Sequence, residues 1–234
     1  MRGKLFRILP LGAALISLGS FLLAIGCGNS SSARFRFVQA AYGSQGTNVD
    51  IDVDNNKVLT AVAYGSAATY QNISSGSHTF ELFLTGTTTN PFFNGSVPIN
   101  KGDNTVVSTG TFSTMGMHVF SDDNVAPTSG DIKLKFIHVA PDAGSIDIYV
   151  ITPGSGIAGL SPQLSNLTYT NAAGPMTPSA GNYEVVMTQS GTQNPVPGLD
   201  VTYTWTAGQV RTIMILDNVA GGAPFQQLVL ADAN

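Results

Sequence analysis

The sequence predicts an all-β protein built from two β-sandwich domains in tandem, behind an N-terminal secretion signal. Three observations carry that prediction. The chain aligns with itself over most of its length, its apolar residues alternate singly with polar ones, and its polar positions are filled by Gly, Ser, Thr and Asn rather than by Lys and Glu. Alternation with period two is the signature of a half-buried strand, and such a composition disfavours long helices. Nowhere does an apolar spacing of three and four residues persist long enough for a helix.

The self-alignment defines the domains. Arg34-Phe35-Arg36-Phe37-Val38-Gln39-Ala40-Ala41 corresponds to Lys133-Leu134-Lys135-Phe136-Ile137-His138-Val139-Ala140, and Val49-Asp50-Ile51-Asp52-Val53 to Ile146-Asp147-Ile148-Tyr149-Val150. Further on, Tyr64 matches Tyr169, Ala67-Ala68 match Ala172-Ala173, and Gly76 matches Gly181. The segment 118–124 parallels 228–234, Asp122 answering Asp232. The offset grows from 97 at Val49 to 110 at His118, so the second copy has longer loops. The predicted organisation is a signal peptide at 1–26, a tether at 27–33, one sandwich at 34–124, a linker at 125–130 and a second sandwich at 131–234. Within these, Val49, Ile51 and Val53 share one strand face, as do Val201, Tyr203 and Trp205, while 78–84, 104–112, 183–188 and 210–216 read as further strands. Several short strands per domain imply two packed sheets.

The N-terminus sets the location. Arg2, Lys4 and Arg7 form a basic head, residues 8–25 are almost wholly apolar, and Leu23-Ala24-Ile25-Gly26-Cys27 ends the run on the only cysteine of the chain. This is a secretory signal with a thiol at its cleavage boundary. It resembles the lipobox of bacterial lipoproteins, with Ala24 where leucine is usual. The resemblance implies acylation of Cys27, a membrane partner through that lipid, and a cell-envelope address. Gly28 after the cysteine, rather than Asp, directs the expectation to the outer membrane or cell surface. A simple secretion signal or a retained membrane anchor is the alternative. Three of the ten basic residues fall within the signal, leaving seven against fourteen acidic ones. A mature chain so acidic has no electrostatic footprint for nucleic acid.

The segment Lys133 to Val150, with His138-Val139-Ala140-Pro141-Asp142-Ala143-Gly144-Ser145-Ile146-Asp147, resembles the opening signature of the DUF4397 family of bacterial envelope and secreted proteins. Tyr169, Ala172-Ala173 and Gly181 fit the same family over 131–234. The first copy departs from it, with Gln39-Ala40-Ala41-Tyr42-Gly43 in place of the signature. The resemblance implies a sandwich of immunoglobulin-like or transthyretin-like type and makes His138, Pro141, Asp142 and Asp147 family-signature positions. It implies no activity and no cofactor.

Searching for chemistry yields little. No G-x-S-x-G is present, and His78, His118 and His138 fall on separate strands without metal-ligand spacing. His138 is read as a structural hydrogen-bonding residue that pins the turn to Asp142; an envelope enzyme or metal-dependent binder using His138, Asp142 and Asp147 is the alternative. Asp50, Asp52 and Asp54 have the composition of a calcium ligand set but strand periodicity, so Asp50 and Asp52 are expected on a solvated face and Asp54-Asn55-Asn56 in a hairpin turn. Phe92 and Phe93 are adjacent in a loop and point opposite ways; packing against the edge of their own sandwich is the favoured reading, and one exposed aromatic offered to a protein or glycan partner is the alternative. The expected role is therefore non-catalytic, binding or surface architecture, with a glycan-binding accessory module as a further alternative.

Overall fold

The computed structural model describes residues 32–43 and 48–233, and within them it contains strands, turns and one short 3-10 turn but no α-helix. Cys27 and the signal lie outside the described residues. The first half holds β1 (Ser32–Gln39), β2 (Val49–Val53), β3 (Asn56–Val62), β4 (Ser66–Ala67), β5 (Gln71–Ser74), β6 (Gly76–Leu84), β7 (Phe93–Ile99), β8 (Gly102–Thr109) and β9 (Gly116–Asp122). The second holds β10 (Lys133–His138), β11 (Ile146–Ile151), β12 (Leu164–Leu167), β13 (Ala172–Met176), β14 (Gly181–Gln189), β15 (Pro195–Trp205), β16 (Val210–Leu216) and β17 (Gln226–Ala233).

Four sheets result, and the second half repeats the strand order of the first. The order β4-β1-β8-β9, with β5 also pairing β1, recurs as β13-β10-β16-β17; β3-β2-β6-β7 recurs as β12-β11-β14-β15. In both halves the opening strand lies centrally and runs parallel to the last strand but one, β1 against β8 and β10 against β16. Parallel neighbours must be joined by a long crossover, and here the crossover is the second sheet of the sandwich. Each half closes around its own core. Phe35, Phe37, Ile51, Phe80 and Leu82 fill the first; Leu134, Phe136, Ile148, Met187 and Trp205 fill the second.

A third core lies between the halves. Val38, Ala40 and Val107 pack with Ile137, Val139, Met214, Leu216 and Leu230. It explains why β1 and β10 are buried on both faces along most of their length: one face looks into its own sandwich, the other onto the opposite half. The longer loops of the second half have a structural use too. Where Asp54 and Asn55 turn β2 into β3, residues 152–163 join β11 to β12, and Ile157 from that loop packs on Tyr149, Ile151 and Val186 on the outer face of the sheet.

Candidate functional site

His138 is fully buried and bonded at both ring nitrogens. The backbone N–H of Ala140 donates to Nδ1 at 3.2 Å and Nε2–H donates to the Gly144 carbonyl at 2.6 Å, which fixes the neutral tautomer. Burial pushes its pKa down, opposed by the Gly144 bond. It pins the turn that Pro141 opens, but through Gly144 and not through Asp142 as its neighbourhood in sequence suggested. Pro141 starts the 3-10 turn 141–143, and Gly144 leaves it at φ +68°, a conformation that favours glycine.

Asp147 faces elsewhere. It is buried and accepts from Asn166 N–H at 2.7 Å, Ser190 Oγ at 2.9 Å and Gly191 N–H at 2.8 Å. Its counterpart Asp50 holds the same place in the first half, accepting from Lys57 Nζ at 2.8 Å, Ala61 N–H at 3.0 Å, Thr85 Oγ1 at 2.9 Å and Gly86 N–H at 3.3 Å. Both carboxylates tie a left-handed residue of the edge strand, Ala61 (φ 54°) or Asn166 (φ 54°), to a hairpin turn of hydroxyl residue plus glycine. Burial raises Asp50, but Lys57 and the other donors outweigh it and hold the carboxyl at about 2. Asp147 is lowered against the same burial by its backbone and serine donors.

The expectation that Asp50 projects from a solvated face is thus corrected: it is 3% exposed, because four donors converge on it. Asp52 is half-buried and cross-strand to Lys57 and Glu81. Asp54 lies in the two-residue turn with Asn55, both at positive φ, and its carboxylate binds the Thr79 N–H at 2.9 Å and His78 Nδ1 at 2.7 Å. Asp50 and Asp54 therefore serve separate sets of donors. Among the described residues no group of three or more His, Cys, Asp or Glu side chains is placed to hold a metal ion.

Phe92 and Phe93 divide as their adjacency predicts. Phe93 packs on the first core, while Phe92 is 37% exposed and sets its ring edge-on to Phe112 at 4.5 Å.

The junction between the halves gathers the polar side chains that the sequence left dispersed. Arg36, 3% exposed, reaches from β1 to Asp232 on β17, and donates from Nε to Thr105 Oγ1 at 2.8 Å. Reciprocally, Lys135 on β10 reaches Asp122 on β9 at 2.5 Å. Arg36 and Lys135 occupy matching strand positions, as do Asp122 and Asp232, so the contact has the self-complementarity of a two-fold interface within one chain. At one end of this junction Lys133 binds Asp123 at 2.9 Å. At the other, Tyr42 packs against Gly221, Gly43 N–H donates to the Val219 carbonyl at 2.8 Å, and Tyr64 OH donates to the Asp217 carbonyl at 2.7 Å. Asp142 stands over Gly221 and Gly222, beside the buried Asp217. Burial, and then the Asp142 charge, push Asp217 up to about 6.

Sequence reasoning missed Asp122, Asp232, Lys133 and Lys135 as a unit. The signal was present in the alignment, where two basic residues two apart and one aspartate recur at matched places.

The family model for the domain of unknown function DUF4397 matches residues 30–149. The chain belongs to the DUF4397 family. The match to DUF4397 begins two residues before β1 and ends within β11, whereas the resemblance read from sequence was placed on 131–234; the two share the stretch carrying His138, Pro141, Asp142 and Asp147. No curated protein matches the chain. Among solved structures, the DUF4397 chain is similar to an alpha-glucan-binding streptococcal virulence factor, at 10% identity over 78% of this chain and 92% of that one, with a TM-score of 0.27. It is similar also to the Bacillus anthracis TIE protein, at 11% identity over 79% of this chain and 34% of that one, with a TM-score of 0.24. Likeness at that level is no guide to a ligand. No helix among the described residues is long and apolar enough to cross a membrane, which leaves β-barrels unaddressed.

Proposed function

We propose that the chain is a lipid-anchored cell-envelope protein, tethered through Cys27, whose two tandem repeats of one β-sandwich unit serve a non-catalytic binding role at the outer membrane or cell surface. The observation that carries this reading is the direction of the strands. β1 and β10 run the same way along the junction, since Arg36 and Lys135 both reach Asp122 at one end while His118 and His138 flank Tyr169 at the other. The chain enters at Ser32, a few residues from Cys27. Phe92, Tyr42 and the turns at 141–144 and 217–222 belong to the opposite end, roughly 25 Å along an eight-residue strand. A tether at Ser32 therefore presents these loops away from the membrane.

The non-catalytic part of the reading is supported by the three signature side chains. His138 and Asp147 spend their bonding capacity on separate turns, and Asp142 stands with Asp217 instead. An acid–base pair in reach of a substrate needs the opposite arrangement. The test has two arms. Cys27→Ser should leave the membrane fraction or accumulate as an uncleaved precursor, and wild-type mature protein should carry acyl chains on its N-terminus by mass spectrometry. Protease added to intact cells should cut the 84–95 segment before the Ser32 end. A Cys27→Ser protein that is processed and fractionates like wild type, a wild-type N-terminus without acyl chains, or cleavage in the reverse order would refute the reading.

A further inference from the structure

The two halves place different residues at one equivalent position of the junction. In the first half Tyr70 precedes β5. Its ring lies under two guanidinium groups, 5.0 Å from its centroid to Arg34 and 5.0 Å to Arg36. Its hydroxyl donates to Asp122 Oδ2 at 2.7 Å, an oxygen that also accepts from Thr105 Oγ1 at 2.7 Å. The phenol is thus held by two cations on its face and one carboxylate at its tip, and the ring gains from both contacts.

In the second half the register leads to Pro175. Phe35 pairs with Gln71 and Leu134 with Met176, so the residue before each is the counterpart, Tyr70 in one case and Pro175 in the other. The seat keeps its two cations and its carboxylate. Lys133 and Lys135 stand for Arg34 and Arg36, and Asp232 stands for Asp122. Asp232 Oδ2 accepts from Thr212 Oγ1 at 2.7 Å, as Asp122 Oδ2 does from Thr105. What the second half has at this place is a cavity of about 220 Å³, lined among others by Lys133, Lys135, Asp123, Asp232, Pro175 and Val210. A dry engineered cavity of about 150 Å³ admits benzene, so this one has room for a substituted ring.

The geometry points to a binding site for a phenol ring between the halves, with the ring face on Lys133 and Lys135 and the hydroxyl donating to Asp232. The phenol can be a tyrosine side chain of a partner polypeptide or a free phenolic compound; the chemistry recognised is the same. The inference deepens the binding role proposed above by naming a ligand class, but it does not depend on acylation of Cys27 or on the distal loops.

The test uses the full-length chain in detergent, with amide chemical shifts followed by NMR. p-Cresol is expected to bind saturably, with Kd on the order of 1 mM for so small a ligand, and to move Ser121, Lys133, Lys135 and Asp232. Toluene, which lacks the hydroxyl, and cyclohexanol, which lacks the aromatic face, should each bind at least about tenfold more weakly. A blocked Gly-Tyr-Gly peptide separates the sources: binding as tight as p-cresol identifies a polypeptide tyrosine, and binding of p-cresol alone a free phenol. Pro175→Tyr should fill the seat from within and abolish binding, while measuring partition into detergent. If that variant does not fold, Lys133→Gln should weaken p-cresol severalfold with the melt retained. Equal binding of toluene or cyclohexanol, shifts elsewhere in the chain, or a Kd unmoved by the substitutions would each overturn the proposal, as would no saturable binding of p-cresol or peptide.

Discussion

Arg36 on β1 and Asp232 on β17 form a buried ion pair that crosses from one half of the chain to the other, and Lys135 with Asp122 forms its mirror. Charges this buried are costly unless each is fully partnered, and here Thr105, Thr212 and Tyr70 supply the remaining bonds. Removing one partner strands the other. Asp232→Ala should therefore destabilise the protein by about 3–5 kcal/mol, whereas Arg36→Leu with Asp232→Leu should recover much of that loss. Thermal or urea unfolding of both variants measures it, and a double variant no better than the single would show that the pair is not the unit of stability.

The third core makes a stronger demand. Ile137, Val139, Met214 and Leu216 share their cluster with Val38, Ala40 and Val107 of the other half. A fragment of residues 131–233 would expose this apolar face together with Lys135, freed of Asp122. Exposed apolar patches of that kind drive association. The fragment is expected to self-associate through the sheet of β10 and β16, and Met214→Lys should return it to a monomer. Sedimentation of the two fragments decides the matter; a fragment that is monomeric without the substitution would mean that each half is self-sufficient.

Much of the sandwich was readable because a period of two is visible wherever a strand has one buried and one solvated face. Ile51 and Val53 face inward and Trp205 is buried, as their alternation required. The reading failed where a strand is buried on both faces. Arg36 and Lys135 look solvated by residue type, and only the packing of the second half on the first turns them inward. Asp50 failed for a related reason: strand periodicity gives its face, but two of its four donors, Thr85 and Gly86, lie 35 and 36 residues away in sequence. His138 was legible as a structural residue, although its partner Gly144 was not, since the choice between Asp142 and Gly144 depends on the path of a 3-10 turn.

Asp50 offers a test of the turn-tying role. Its folded pKa of about 2 lies below the ordinary carboxylate value, so its contribution is present above pH 4 and is lost as pH falls through 2. With Lys57 partly exposed and screened, that contribution is on the order of 1–2 kcal/mol. Asp50→Asn should lower the melting temperature at pH 7 by several degrees and flatten the acid limb of stability against pH. An unchanged limb would show that another group governs it.

Asp217 titrates in the opposite sense. Burial first, and Asp142 second, raise its folded pKa to about 6, so the stabilisation it brings is complete below pH 4 and is lost as pH rises through 6. The two carboxylates meet at Gly221 and Gly222, where Tyr42 of the first half also packs, so the titration is felt at the junction. Asp142→Asn removes the like charge and leaves the burial. The Asp217 midpoint, followed by its carboxyl carbon resonance, should then fall below 6 without reaching the ordinary carboxylate value. The same substitution should make the protein more stable at pH 7 and change it little at pH 4, where Asp217 is protonated in the native state and no like charge faces Asp142. A midpoint that does not move would assign the shift to burial alone and uncouple the turn at 141–144 from the loop at 217–222.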